Sequence, residues 1–202
     1  MKAFQKILVL VALIISAVLF VSAVATAANP IVTIAKTGSP KKVSVTIDKL
    51  SAPASIWVVN AEEVVLLEEK TTGEKFAKVL NLENLPTGAY KVIVTTDRKE
   101  IVQPLVLSNT DLALNEAARE EHYSPFFNAK EGGIVDIMLL NNRLQDVNVA
   151  IFDAAGATVY EDDFDNVLKV EKRYRLSDLG EGSYTMCVTT PYKKYYKAVA
   201  IK

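Results

Sequence analysis

The chain has 202 residues, a formal net charge of −1 at pH 7, one Cys and one His. A balance this close to neutral supplies no global field for nucleic acid or an anionic membrane surface. One thiol cannot close an intrachain disulfide. One imidazole with one thiol cannot furnish a zinc site or a nucleophile–histidine pair on a strand framework.

The first stretch reads as an address. Lys2 and Lys6 precede an apolar run over 7–20 broken only by Ser16, and small residues follow. That order predicts a Sec-type signal peptide over 1–27, cleaved after Ala25 or Ala27. The competing reading is an uncleaved anchor, since 7–24 approaches the roughly 18 residues needed to span a bilayer. No Cys closes the apolar run, so lipoprotein processing is not expected. Losing Lys2 and Lys6 takes the net charge from −1 to −3 and leaves about 175 residues. That length suits one large or two small domains.

From residue 29 the apolar segments are short, rich in Val, Ile and Thr, and separated by turn signals. Segments 31–35, 43–47, 56–59, 64–67, 76–82, 90–96 and 101–107 form a set of seven. Spacing of about 8–12 residues with little helical period argues an immunoglobulin-like Greek-key β-sandwich. Alternation then places Tyr90, Val92 and Val94 on one buried face, opposite Ile56 and Val58, with Trp57 on the other face of its strand.

The plan is then repeated. Leu82-x-x-Leu85-x-x-Gly88-x-Tyr90 recurs 94 positions later as Leu176-x-x-Leu179-x-x-Gly182-x-Tyr184, and both units lead into Val-Thr-Thr. The leucines are expected to anchor the connection between two strands. The Gly permits the turn, and the Tyr opens the next strand with its hydroxyl bonded to backbone upstream. At the same offset Ala35, Lys36 and Gly38 match Ala129, Lys130 and Gly132, and Lys99 matches Lys193. Residues 43–47 align better with 135–139, which requires small compensating gaps. A duplication follows: sandwich 28–107, linker 108–127, sandwich 128–202. In the second copy Tyr184, Met186, Val188, Val149 and Ile151 are the inward set. Cys187, mid-strand, reads as a small buried apolar residue. The linker holds good helix formers behind Thr110 and Asp111, so one short helix and an extended connection both fit.

Chemistry is thin. No phosphate-binding glycine motif occurs, and neither catalytic nor cofactor residues are assigned. Glu161, Asp162, Asp163 and Asp165 cluster beyond a strand, but their spacing matches no calcium loop and reads as a solvated acidic hairpin; no metal is expected. Tyr192, Lys193, Lys194, Tyr195 and Tyr196 combine aromatic and basic character. With Trp57 they form the candidate contact surface, for a protein or glycan partner. The competing reading is an edge strand whose lysines discourage aggregation.

Residues 149–160 form a hydrophobic strand leading into Asp153-x-x-Gly156-x-x-Val159. Together with the Gly182-x-Tyr184 strand and the final strand ending in Lys202, they resemble the C-terminal sorting domain of type IX secretion cargo in Bacteroidota. That resemblance implies a seven-stranded sandwich directing export across the outer membrane, with Gly182, Tyr184, Lys197 and Lys202 as candidate sorting residues. It differs in that a similar sandwich, not a large effector, lies upstream. The expectation is a non-enzymatic exported protein with a structural or binding role at the cell envelope, in the periplasm, at the surface or outside. Type IX cargo and a carboxylate-only glycan-active enzyme are the alternatives. The membrane is met only through the signal peptide.

Overall fold

The computed structural model describes residues 29–202, so the signal-peptide expectation and its cleavage sites at Ala25 and Ala27 lie outside the described residues. Seven strands form first: β1 (Ile31–Lys36), β2 (Lys42–Asp48), β3 (Ala54–Asn60), β4 (Val65–Thr71), β5 (Phe76–Asn81), β6 (Gly88–Thr95) and β7 (Lys99–Leu107). All pair antiparallel, in one sheet ordered β1-β2-β5 and another in which β4, β3, β6 and β7 are neighbours. The two sheets enclose one core. Val43, Val45 and Ile47 from one layer and Ile56, Val58, Val92 and Val94 from the other are 0% exposed. These are the positions that period-two alternation marks as inward, because successive side chains of a strand leave on opposite faces.

The segment after β7 extends this layer. Strand β8 (Leu112–Leu114), a 3₁₀ turn over Glu116–Ala118 capped by the Asn115 side chain, and strand β9 (Glu120–Tyr123) run back along β7. Strand β8 pairs with Leu105–Leu107 and β9 with Lys99–Val102, so almost the whole outer edge of β7 is covered. The helix-forming composition of this stretch is overridden by an available row of backbone donors and acceptors, and by burial of Leu112 to 1% exposure.

A second pair of sheets follows: β10 (Phe126–Lys130), β11 (Ile134–Leu140), β12 (Val147–Phe152), β13 (Thr158–Phe164), β14 (Lys169–Arg175), β15 (Gly182–Thr189) and β16 (Lys194–Ile201). Their orders are β10-β11-β14 and β13-β12-β15-β16, and they enclose a second core around Val135, Ile137, Val149, Met186 and Val188. Registers repeat between the halves. Gly88 pairs with Leu107 and Gly182 with Ile201, each 94 positions from its counterpart. Val43 pairs with Leu80 and Val135 with Tyr174, offsets of 92 (43 to 135) and 94 (80 to 174). The small gaps needed to align the first hairpins are thus real.

One glycine is required by close approach. Gly133 has φ 68°, and a Cβ there would lie 2.8 Å from the Ser177 backbone nitrogen and 2.9 Å from Ile201 Cδ1. The turn over Glu131–Gly133 is thereby seated against the corner before β15 and the end of β16.

Candidate functional site

Two of the candidate sorting residues, Gly182 and Tyr184, sit at the connection into β15. The Tyr184 hydroxyl donates to the Leu179 carbonyl at 2.8 Å and reaches that of Gly180 at 3.3 Å. The Tyr90 hydroxyl donates to the Pro86 carbonyl at 2.8 Å. Both rings are buried, so each hydroxyl is satisfied by backbone of the connection it closes. Gly182 takes φ 155° with its Cα beside the Tyr184 ring, where a Cβ would stand 3.6 Å away. Gly182 and Tyr184 are therefore the tyrosine corner of the second sandwich, and the first has its own copy. The leucines divide. Leu82 and Leu176 are buried and Leu85 packs against the core, but Leu179 is 38% exposed and anchors nothing. Its carbonyl, not its side chain, holds the corner.

Lys197 lies on β16 opposite Met186, and Lys202 follows the strand; both are exposed. The basic-aromatic run does not form one surface. Tyr195 packs against the second core, while Lys194 and Tyr196 point away from it, Tyr196 being 63% exposed. Tyr192 turns instead to the first sandwich, where its ring stacks on His122 with centroids 3.5 Å apart and planes 2° apart. Its hydroxyl donates to the Glu100 carboxylate, and Lys193 lies 3.8 Å from the same group. Burial first, then that hydrogen bond and charge, push the Tyr192 hydroxyl well above the ordinary tyrosine range.

A polar joint is built around this stack. His122, 8% exposed, shares a 2.8 Å hydrogen bond between Nε2 and Glu120, whose carboxylate also receives Arg143 of the second sandwich at 3.0 Å. Burial pushes the Glu120 carboxyl up, but His122 and Arg143 outweigh it and hold the group below the ordinary glutamate value. Lys99 pairs with Glu121, and the Arg98 guanidinium lies 4.7 Å over the Phe126 ring. The partnership between the halves is not legible locally: Tyr192 and Glu100 are 92 residues apart in sequence. A lone His flanked by acids was the only signal. Trp57 shares the outer face that carries this joint, since Trp57 pairs with Ile93, Ile93 with Val102 and Val102 with Glu120. Three strand spacings, about 14 Å, separate it from β9.

A cleft of about 380 Å³ beside the joint is lined by Ala117, Arg119, Glu120, Glu121, Asn142 and Arg143. Both of its carboxylates are held by cations, so neither is poised as an acid–base partner. A second, of about 530 Å³, opens between β13 and β14 beside Tyr160, Lys172, Tyr174 and Arg175. In the acidic hairpin Asp162 pairs with Lys172 at 3.0 Å, and Glu161 and Asp163 both accept from the Asn148 amide at 2.7 and 2.8 Å. Among the described residues no group of three or more His, Cys, Asp or Glu converges as a metal site. Cys187 is buried and free.

No curated protein matches the chain. Among solved structures it is similar to a chain titled "Biofilm associated protein - BSP domain" (13% identity, TM-score 0.28), covering 84% of this chain and 29% of that one. It is also similar to a two-domain fibronectin type III segment of chicken tenascin (8% identity, TM-score 0.31), covering 86% of this chain and 100% of that one. The chain thus spans less than a third of the first structure's length. Residues 132–202, which hold the second corner, the acidic hairpin and the final strand, match the family described as the secretion system C-terminal sorting domain, the type IX family that these motifs resemble.

Proposed function

We propose that the second sandwich is a type IX sorting domain and that the first sandwich is its cargo, a non-enzymatic binding or structural module delivered to the cell surface or the medium. The match over residues 132–202 carries this reading. The exposed lysines of the final strand, Lys197 and Lys202, are the groups through which export machinery would read it, because Gly182 and Tyr184 are already committed to the corner. The cargo's own contacts fall on the outer face that holds Trp57.

The test is the location and intact mass of the protein in fractionated cells and medium. Export is expected, and Lys197→Glu with Lys202→Glu should strand a folded chain in the periplasm. A wild-type chain retained whole in the periplasm would overturn the reading. That result would favour a resident envelope protein built of two sandwiches, a reading supported by the Tyr192, His122, Glu100 and Arg143 joint that ties the halves together.

A further inference from the structure

The two sandwiches differ at one edge. In the first, β8 and β9 occupy the outer edge of β7. In the second, β16 occupies the equivalent place, and among the described residues no strand pairs with its outer side. A bare edge is a row of backbone donors and acceptors open to another strand. At the far side of the same sheet β13 is the other open edge.

We propose that β16 of one copy pairs with β13 of the next, so that the four-stranded sheet continues from molecule to molecule. Three observations carry this. The first is polarity. Every neighbouring pair in the order β13-β12-β15-β16 is antiparallel, so a copy placed alongside by translation brings β16 antiparallel to β13, the favourable ladder. The two strands have matching lengths, seven and eight residues.

The second is register. Asp163, Asn148, Thr189 and Lys194 form one cross-strand row, and Glu161, Ala150, Cys187 and Tyr196 form another on the same outer face. Continued without stagger, the first row sets Lys194 directly opposite Asp163 of the next copy and the second sets Tyr196 beside Glu161. Between them, the row Asp162, Val149, Val188, Tyr195 sets Tyr195 opposite Asp162, and one position beyond Glu161 the row Tyr160, Ile151, Met186, Lys197 sets Lys197 opposite Tyr160.

The third is charge. Among the described residues Lys194 and Lys197 make no ion pair, and Glu161 and Asp163 meet only the neutral Asn148 amide. The corresponding first-sandwich edge, β4, differs: its Glu68 and Glu69 are already paired with Lys70 and Lys78. Pairing β16 with β16 sets lysines against lysines, and pairing β13 with β13 sets carboxylates against carboxylates. Only the mixed contact is complementary. Such a head-to-tail contact does not close on itself and gives an open series. It goes beyond the sorting reading and applies wherever the second sandwich remains attached.

The test is sedimentation velocity of the mature chain, both sandwiches present, over a concentration series at low salt and again at high salt. The expected result is an open series of species that grows with concentration and recedes with salt. Lys194→Asp alone and Asp163→Lys alone should each weaken association by about tenfold or more. Circular dichroism should show both variants folded, since both side chains are exposed. An equimolar mixture of the two variants should associate again, because each then meets an edge of opposite charge. A chain that stays monomeric, a closed dimer, association indifferent to both variants, or a mixture that fails to recover would each overturn the proposal.

Discussion

Strands β7 and β16 hold the same place in their sandwiches and are buried to different depths. Ile101, Gln103, Leu105 and Leu107 are 0–1% exposed, whereas their equivalents Tyr195, Val199 and Ile201 are half-buried and Lys197 is exposed. The difference lies in what runs alongside. Segment 108–123 returns over β7, tied by Lys36 to Asp111 at 2.5 Å, by Arg119 to the Val32 carbonyl at 3.1 Å and by the Gln103 amide to the Asn115 carbonyl at 3.0 Å. Strand β16 has no such cover among the described residues. The same alternating pattern is therefore a sealed edge in one half and an open one in the other, and the residue types follow: a neutral Gln whose amide nitrogen donates to the Pro104 and Asn115 carbonyls, against a Lys that needs water.

The sharpest way to break the comparison is to exchange those two residues. Gln103→Lys places an ammonium where neither water nor a carboxylate reaches and should cost roughly 3–5 kcal/mol, as an uncompensated buried charge does. Lys197→Gln, on the open edge, should change stability by less than about 0.5 kcal/mol. Urea unfolding of both variants checks this, and equal effects would mean that β16 is covered in solution. Truncating the last apolar position is the next test. Leu107→Ala should cost about 2–5 kcal/mol, whereas Ile201→Ala, half-buried, should cost about 1 kcal/mol.

The corners test where the halves are alike. Tyr90→Phe and Tyr184→Phe each remove one buried hydrogen bond and should each cost about 1 kcal/mol. Unequal losses would show that one corner carries more than its geometry. The smallest effect concerns the joint. Tyr192 has a folded-state pKa raised above its unfolded value of about 10, so it favours the folded joint fully below that pH. The contribution fades as pH rises further, because the unfolded tyrosine ionises first. Stability should therefore decline above about pH 10, and Tyr192→Phe should flatten that decline; an alkaline titration of the unfolding midpoint in both proteins decides it.

Much of this was legible in residues alone. Alternation located the inward faces, since strand geometry sends every second side chain to the core. The repeated Gly-x-Tyr units announced both corners, because Gly88 and Gly182 take φ 158° and 155°, a backbone conformation that L side chains rarely adopt, just before the ring that closes the turn. Leu179 misled: its spacing matched Leu85, yet its side chain faces solvent. The linker composition left a short helix and an extended connection both open, and the segment is mostly extended, since local propensity is worth less than a free sheet edge next to it.

The sequence by itself determined the all-β class, the paired strand plan and the two corners, which rest on strand alternation and on contacts within a single connection. Tertiary structure alone decided the rest. The stack of His122 on Tyr192 and the reach of Arg143 to Glu120 join residues far apart in the chain, and the covering of β7 but not β16 depends on which edge the flanking segment meets once folded. Such contacts leave no periodicity behind, because what selects them is which surfaces the folded strands bring together.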